Sequence, residues 1–211
     1  DVYSWEDASG RPRSAALVRN NAPDPTGNYG GGLRRIVYDV GGETRTATGH
    51  TQKHPVFGYA TSHFQGGVAS TRHGAGEHRV LFEGEHHAVH EYTWRMTIGT
   101  GPVDVTVWWI FAGGRDHPLY AITYDASPAG PNVVDGDSRA PYGDLNFDND
   151  QNLPVDGIGW GDRYRFRTTG NGPVTQGSAW SYAQQNRVPH VLAWSNGADA
   201  EMGLVQTLDW Q

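Results

Sequence analysis

From Glu77 to Asp125 the chain runs through three stretches in which apolar and polar residues alternate. Successive side chains of a strand point to opposite faces, so residues two apart share one. From His86 to Ile98 the even positions are His86, Ala88, His90, Tyr92, Trp94, Met96 and Ile98, and the odd positions are His87, Val89, Glu91, Thr93, Arg95 and Thr97. The second stretch sets Val103, Val105, Val107, Trp109 and Phe111 on one side and Asp104, Thr106 and Trp108 on the other. A hairpin around Gly99-Thr100-Gly101-Pro102 therefore predicts a packed face backed by a polar one that carries His87, Glu91, Arg95, Asp104 and Trp108. The third stretch offers Tyr120 and Tyr124 on one side, or His117, Thr123 and Asp125 on the other.

Elsewhere the same alternation, cut by turn residues, predicts strands at Ser14 to Arg19, Leu33 to Val40, Glu43 to Thr48, Val56 to His63, Gly67 to Thr71 and His78 to Glu83. Gly41-Gly42 reads as a tight hairpin turn, because adjacent glycines accept positive φ. A loop-rich stretch from Ala126 to Trp160 precedes closing strands at Arg163 to Thr168, Thr175 to Tyr182, His190 to Trp194 and Met202 to Leu208. About a dozen short strands joined by turns predict an all-β fold, an antiparallel two-sheet β-sandwich or jelly roll. At 211 residues the chain is read as a single domain, 1–211.

Composition supports this class. With 29 Gly, 12 Pro and 24 aromatic residues (eight Trp, ten Tyr, six Phe) the chain fits strands and tight turns rather than a helical bundle. A net charge of −7 argues against a nucleic-acid partner, which needs a basic surface. Of 16 basic residues only Lys53 is a lysine, and arginine suits fork-shaped recognition of carboxylates. No apolar run reaches membrane-spanning length, and there are no cysteines for disulfides, thiolate metal sites or a Cys nucleophile. The start at Asp1 and the Lys-poor, aromatic composition lead to the expectation of a bacterial secreted or periplasmic chain.

The polar face is where chemistry is expected. An aromatic platform amid His, Arg, Tyr and carboxylates is what a sugar needs, since rings stack on it and hydroxyls bond to the polar groups. The most specific expectation is a lyase acting on a uronate-containing polysaccharide by β-elimination. Arg95 would neutralise the carboxylate, His87 would act as base, and Tyr120 or Tyr124 as acid. Glu91 with Asp104 could instead form the carboxylate pair of a glycoside hydrolase. In the rival class, a non-catalytic glycan-binding module, Trp108, Tyr120 and Trp160 stack sugars. Arg163, Arg165 and Arg167 fall on one side of a strand, a ladder about 7 Å in step that could follow an anionic chain or pair with nearby carboxylates.

Metals and other cofactors follow from spacing. Asp144, Asn146, Asp148 and Asp150 alternate oxygen ligands along a loop, as a structural calcium requires, although the EF-hand glycine and glutamate are missing. Eight of the ten histidines lie between His50 and His90, but in a strand positions four apart are about 13 Å distant, too far to share one ion. No Gly-x-Ser-x-Gly elbow and no phosphate-cradling glycine motif occurs, so no organic cofactor is expected.

Overall fold

A computed structural model of the chain describes residues 1–19, 23, 29–48, 56–64, 67–71, 74–131, 137–142, 146–147, 153, 155–161, 166–168, 190–197 and 200–205. These residues form antiparallel sheets and no α-helix. The chain divides into two compact units, 1–145 and 146–211.

The first unit holds β1 (Val2–Glu6), β2 (Pro12–Leu17), β3 (Leu33–Val40), β4 (Glu43–Thr48), β5 (Tyr59–Phe64), β6 (Gly67–Ser70), β7 (Glu77–Glu83), β8 (His87–Ile98), β9 (Gly101–Ala112), β10 (Leu119–Asp125) and β11 (Asp137–Tyr142). Strands β1 to β4 pair in sequence order, β7 to β10 form a second sheet ordered β10-β9-β8-β7, and a third is ordered β11-β5-β6. The Gly41-Gly42 turn has φ of 60° and 84°, and it joins Val40 directly opposite Glu43. The β8–β9 turn is tighter than the sequence implied, for Ile98 already pairs with Gly101.

Strand β9 shows why these residues form a two-sided sheet. Its burial alternates without a break from Gly101 to Ala112, so β-branched and aromatic side chains fill one face while Asp104, Thr106 and Trp108 occupy the other. Tyr92, Trp94, Met96 and Ile98 of β8 join Val103, Val105, Val107, Trp109 and Phe111 of β9 in one core, which also takes Ala15, Leu17 and Leu33 from β2 and β3. Each such large apolar side chain contributes about 2 kcal/mol by leaving water. Two glycines let backbone reach this core: Gly31 (φ 54°) lies against the Tyr92 ring and Gly58 (φ 96°) against Trp109. The Trp109 indole Nε1 donates to Gly31 O at 2.7 Å, so the close approach also satisfies a buried donor.

Two expectations need correction. The first segment contains two strands rather than one, because the Asp7 carboxylate accepts from the backbone N–H groups of Ser9 and Arg11 and so builds a turn between β1 and β2. The stretch read as loop between Ala126 and Trp160 contributes β11, which pairs with β5 from Asp137 opposite His63 to Tyr142 opposite Tyr59. Its sequence, DSRAPY, has no alternation to betray it, and the pairing shifts register around Pro141, which has no N–H to donate.

The second unit holds β12 (Asn146–Phe147), β13 (Gly157–Gly161), β14 (Phe166–Thr168), β15 (His190–Ser195) and β16 (Ala200–Val205). The last four form a sheet ordered β14-β13-β15-β16. Gly157 lies flat on the Trp194 ring, a contact that leaves no room for a side chain.

Candidate functional site

The outward face of the β7–β10 sheet is built in rows, because antiparallel partners point the same way. One row runs Arg79, Glu91, Trp108, Ala121; the next Glu77, Thr93, Thr106, Thr123; a third Arg95, Asp104, Asp125. Rows are about 7 Å apart. The half-buried Trp108 thus stands between a small alanine and a carboxylate, with three threonine hydroxyls in the adjacent row.

Glu91 is the hinge of this face. Its Oε2 accepts the Trp108 indole N–H at 2.9 Å, and its Oε1 accepts from Arg79 Nε at 3.0 Å and also from Arg79 Nη2. The arrangement fixes the plane of the indole. In the third row Arg95 grips Asp104 with two parallel bonds, Nε to Oδ1 and Nη2 to Oδ2, each 2.7 Å. This fork holds the Asp104 carboxyl below its ordinary range. Asp125 is held low as well, chiefly by hydrogen bonds from the Ser127 side chain and from its backbone N–H, the latter at 2.8 Å.

Not all the residues expected to work together meet. His87 shares the outward face but lies eight residues from Arg95 along an extended strand, about 27 Å, and its ring stacks on Phe82 at 4.3 Å. Tyr120 and Tyr124 pair with Trp109 and Val105, which turns them to the core side. The Tyr120 hydroxyl donates to Gly58 O at 3.2 Å, and burial pushes its phenol well up. Base, neutralising arginine and acid of the elimination reading therefore do not converge. Glu91 and Asp104 share the face, yet stand about 14 Å apart by strand geometry, beyond the roughly 5–9.5 Å span of glycosidase carboxylates.

Other candidates lie outside the described residues: Arg163, Arg165, Asp144, Asp148 and Asp150, together with the side chain of Asn146. Arg167 is described and exposed on β14 opposite Trp160. Among the described residues no three His, Cys, Asp or Glu side chains gather to hold a metal ion, and no helix is long and apolar enough to cross a membrane.

A cluster the sequence reading passed over sits on the core side. His90, 2 % exposed, places Nδ1 3.0 Å from the Tyr3 hydroxyl and 3.0 Å from His78 Nε2, while its own Nε2 is buried without a partner among the described residues and the buried Tyr92 hydroxyl lies beside Tyr3. Burial lowers both imidazoles, His90 being lowered further by His78, and burial raises the Tyr3 and Tyr92 phenols. The alternation did place His90 and Tyr92 inward; no local pattern could announce that Tyr3, 87 residues away, would meet them.

No family model, curated protein or solved structure matches this chain.

Proposed function

We propose that the chain is an exported glycan-binding protein. In this reading the β1–β4 and β7–β10 strands make a β-sandwich that presents the outward β7–β10 face to a polysaccharide. The observation that carries the reading is the Trp108 indole, locked by the Glu91 carboxylate beside a row of three threonines. A ring held by its N–H loses little freedom when a sugar stacks on it, and flanking hydroxyls and carboxylates match the alternating donors and acceptors of a pyranose. Two arginines on this face are already engaged by carboxylates, and Asp125 and Glu77 add further negative charge, which favours a neutral glycan over a uronate.

The test is retention on a panel of insoluble cellulose, chitin and xylan and soluble mixed-linkage glucan, assayed also for unsaturated product and new reducing ends. One member of the panel is expected to be bound without cleavage. Trp108→Ala should weaken that binding about 30-fold, the effect of removing a central aromatic anchor, while the chain stays folded at the assay temperature. Equal retention by Trp108→Ala and the parent chain sinks the reading.

A further inference from the structure

Two imidazoles and two phenols converge between two sheets of the first unit. His78 lies on β7 and Tyr3 on β1, each the end strand of its sheet among the described residues, while His90 and Tyr92 lie on β8. His78 pairs directly opposite Tyr92, so His78, His90 and Tyr92 share the core side of their sheet. The polar atoms meet at His90 Nδ1, with the Tyr3 hydroxyl and His78 Nε2 each 3.0 Å from it and the Tyr92 hydroxyl beside Tyr3. An imidazole nitrogen carries either one proton or one in-plane lone pair, so Nδ1 can direct a full hydrogen bond at only one of its two neighbours.

A cation among these groups removes the competition, because each donor then offers a lone pair of its own to one point. Donors about 2.0–2.1 Å from a first-row metal ion stand roughly 3.0 Å from one another, the spacing found on both sides of His90 Nδ1. The rings are fixed by packing rather than by any ligand. His78 stacks on Tyr92 with centroids 4.4 Å apart and planes 7° from parallel, and Tyr3 stacks on Phe111 at 4.6 Å. Tyr3 and His78 are only half-buried, so an ion can enter past the two edge strands.

The donor set selects the ion. Calcium and magnesium take oxygen ligands and have no use for imidazole. Burial lowers both imidazoles and so keeps their lone pairs free at neutral pH, but it raises both phenols, so an ion of high charge is needed to displace their protons. Imidazole and phenolate together suit iron. The Glu83 carboxylate acts on Tyr3 and His90, and the amino terminus acts on His78 and His90, so the flanking charges oppose each other. We propose that Tyr3, His78, His90 and Tyr92 form a ferric iron site that ties β1 to β7 and β8. On binding, each phenol O–H breaks, its proton leaves to solvent, and an oxygen–iron bond replaces it with no change of oxidation state. Trp108 lies on the opposite face of the sheet, so the site is independent of the glycan reading.

Loading the full chain from ferric nitrilotriacetate, desalting it, and measuring iron content and visible absorption tests this. Stoichiometric iron is expected together with a visible tyrosinate-to-iron charge-transfer band, which iron held by surface histidines or carboxylates cannot give. Tyr3→Phe and His78→Phe keep the stacked rings and remove only the donor atoms, so both stay folded, as circular dichroism can verify. Each should weaken iron binding about tenfold or more, at least what an outer-shell partner contributes. Tyr3→Phe should also shift the visible band, since one of two phenolates is gone, and Trp108→Ala should change neither quantity. Iron should raise the melting temperature of the parent more than that of Tyr3→Phe, because it binds only the folded arrangement. No iron after desalting, iron without the visible band, parental iron affinity in either folded variant, or retention of zinc or copper but not of iron overturns the proposal.

Discussion

Glu91 points outward and yet is 8 % exposed, because Arg79 and the Trp108 indole close over it. Its carboxylate thus does structural work at the centre of the outward β7–β10 face. Glu91→Ala leaves the indole N–H and the Arg79 guanidinium without their acceptor and should cost about 1–3 kcal/mol in a urea melt, whereas Glu91→Gln keeps an acceptor and should cost less. Equal losses would mean that the acceptor contributes nothing. A second prediction concerns pH. His78 and His90 are lowered by burial, so below the unfolded value of about 6.5 the unfolded chain takes up protons first and stability falls as pH drops into the depressed folded range. Asp7, although desolvation opposes it, is lowered to about 2 by hydrogen bonds from Arg11, Ser9 and Arg13. Its contribution is whole above about 3.8 and is lost between there and about 2. Urea midpoints should therefore decline in two stages on acidification, and His90→Gln should flatten the upper stage alone.

Strands show what sequence alone can reveal. Alternation in β8 and β9 was legible because one face is wholly apolar, so Trp94, Met96, Val105 and Val107 announce their side. It could not reveal distance: His87 and Arg95 share a face but not a site, a fact set by strand rise rather than by residue type. Nor could it orient β10, whose two faces are both mixed, until pairing with β9 turned Tyr120 inward. Glycines mark the same limit. The Gly30-Gly31-Gly32 run is recognisable as a break, but only packing shows that a Cβ at Gly31 would sit 2.5 Å from the Tyr92 ring and one at Gly58 2.6 Å from Trp109. Gly31→Ala and Gly58→Ala should each cost about 3 kcal/mol or more, from collision added to positive-φ strain. Gly10→Ala, at φ 74° with nothing within 4 Å, isolates the strain and should cost only about 1 kcal/mol. Similar melting curves for all three would remove the collision argument.

Charge acts over the whole chain, and here it bears on which glycan the proposed site would take. A formal charge of −7 sets up a field that disfavours approach of polyanions, and the guanidiniums able to counter it locally on the outward face are taken by Glu91 and Asp104. Arg95 is exposed and could reach a ligand carboxylate only by releasing Asp104, exchanging one bidentate pair for another while leaving Asp104 and Asp125 facing the anion. The net gain of such an exchange is close to zero, whereas stacking on Trp108 and hydrogen bonding to the threonine row make no demand on ligand charge. The sequence-based expectation of a uronate gave Arg95 the ligand carboxylate; its pairing with Asp104 across β8 and β9 is what favours a neutral glycan in the proposed reading. Affinity electrophoresis through gels of xylan or mixed-linkage glucan is expected to retard the chain equally at low and high salt, since no ions are released on binding. Polygalacturonate should retard it little at low salt and slightly more at high salt, as screening weakens the repulsion. Strong retardation by polygalacturonate that disappears with added salt would show that Arg95 does exchange partners, and the neutral-glycan assignment would give way to an anionic one.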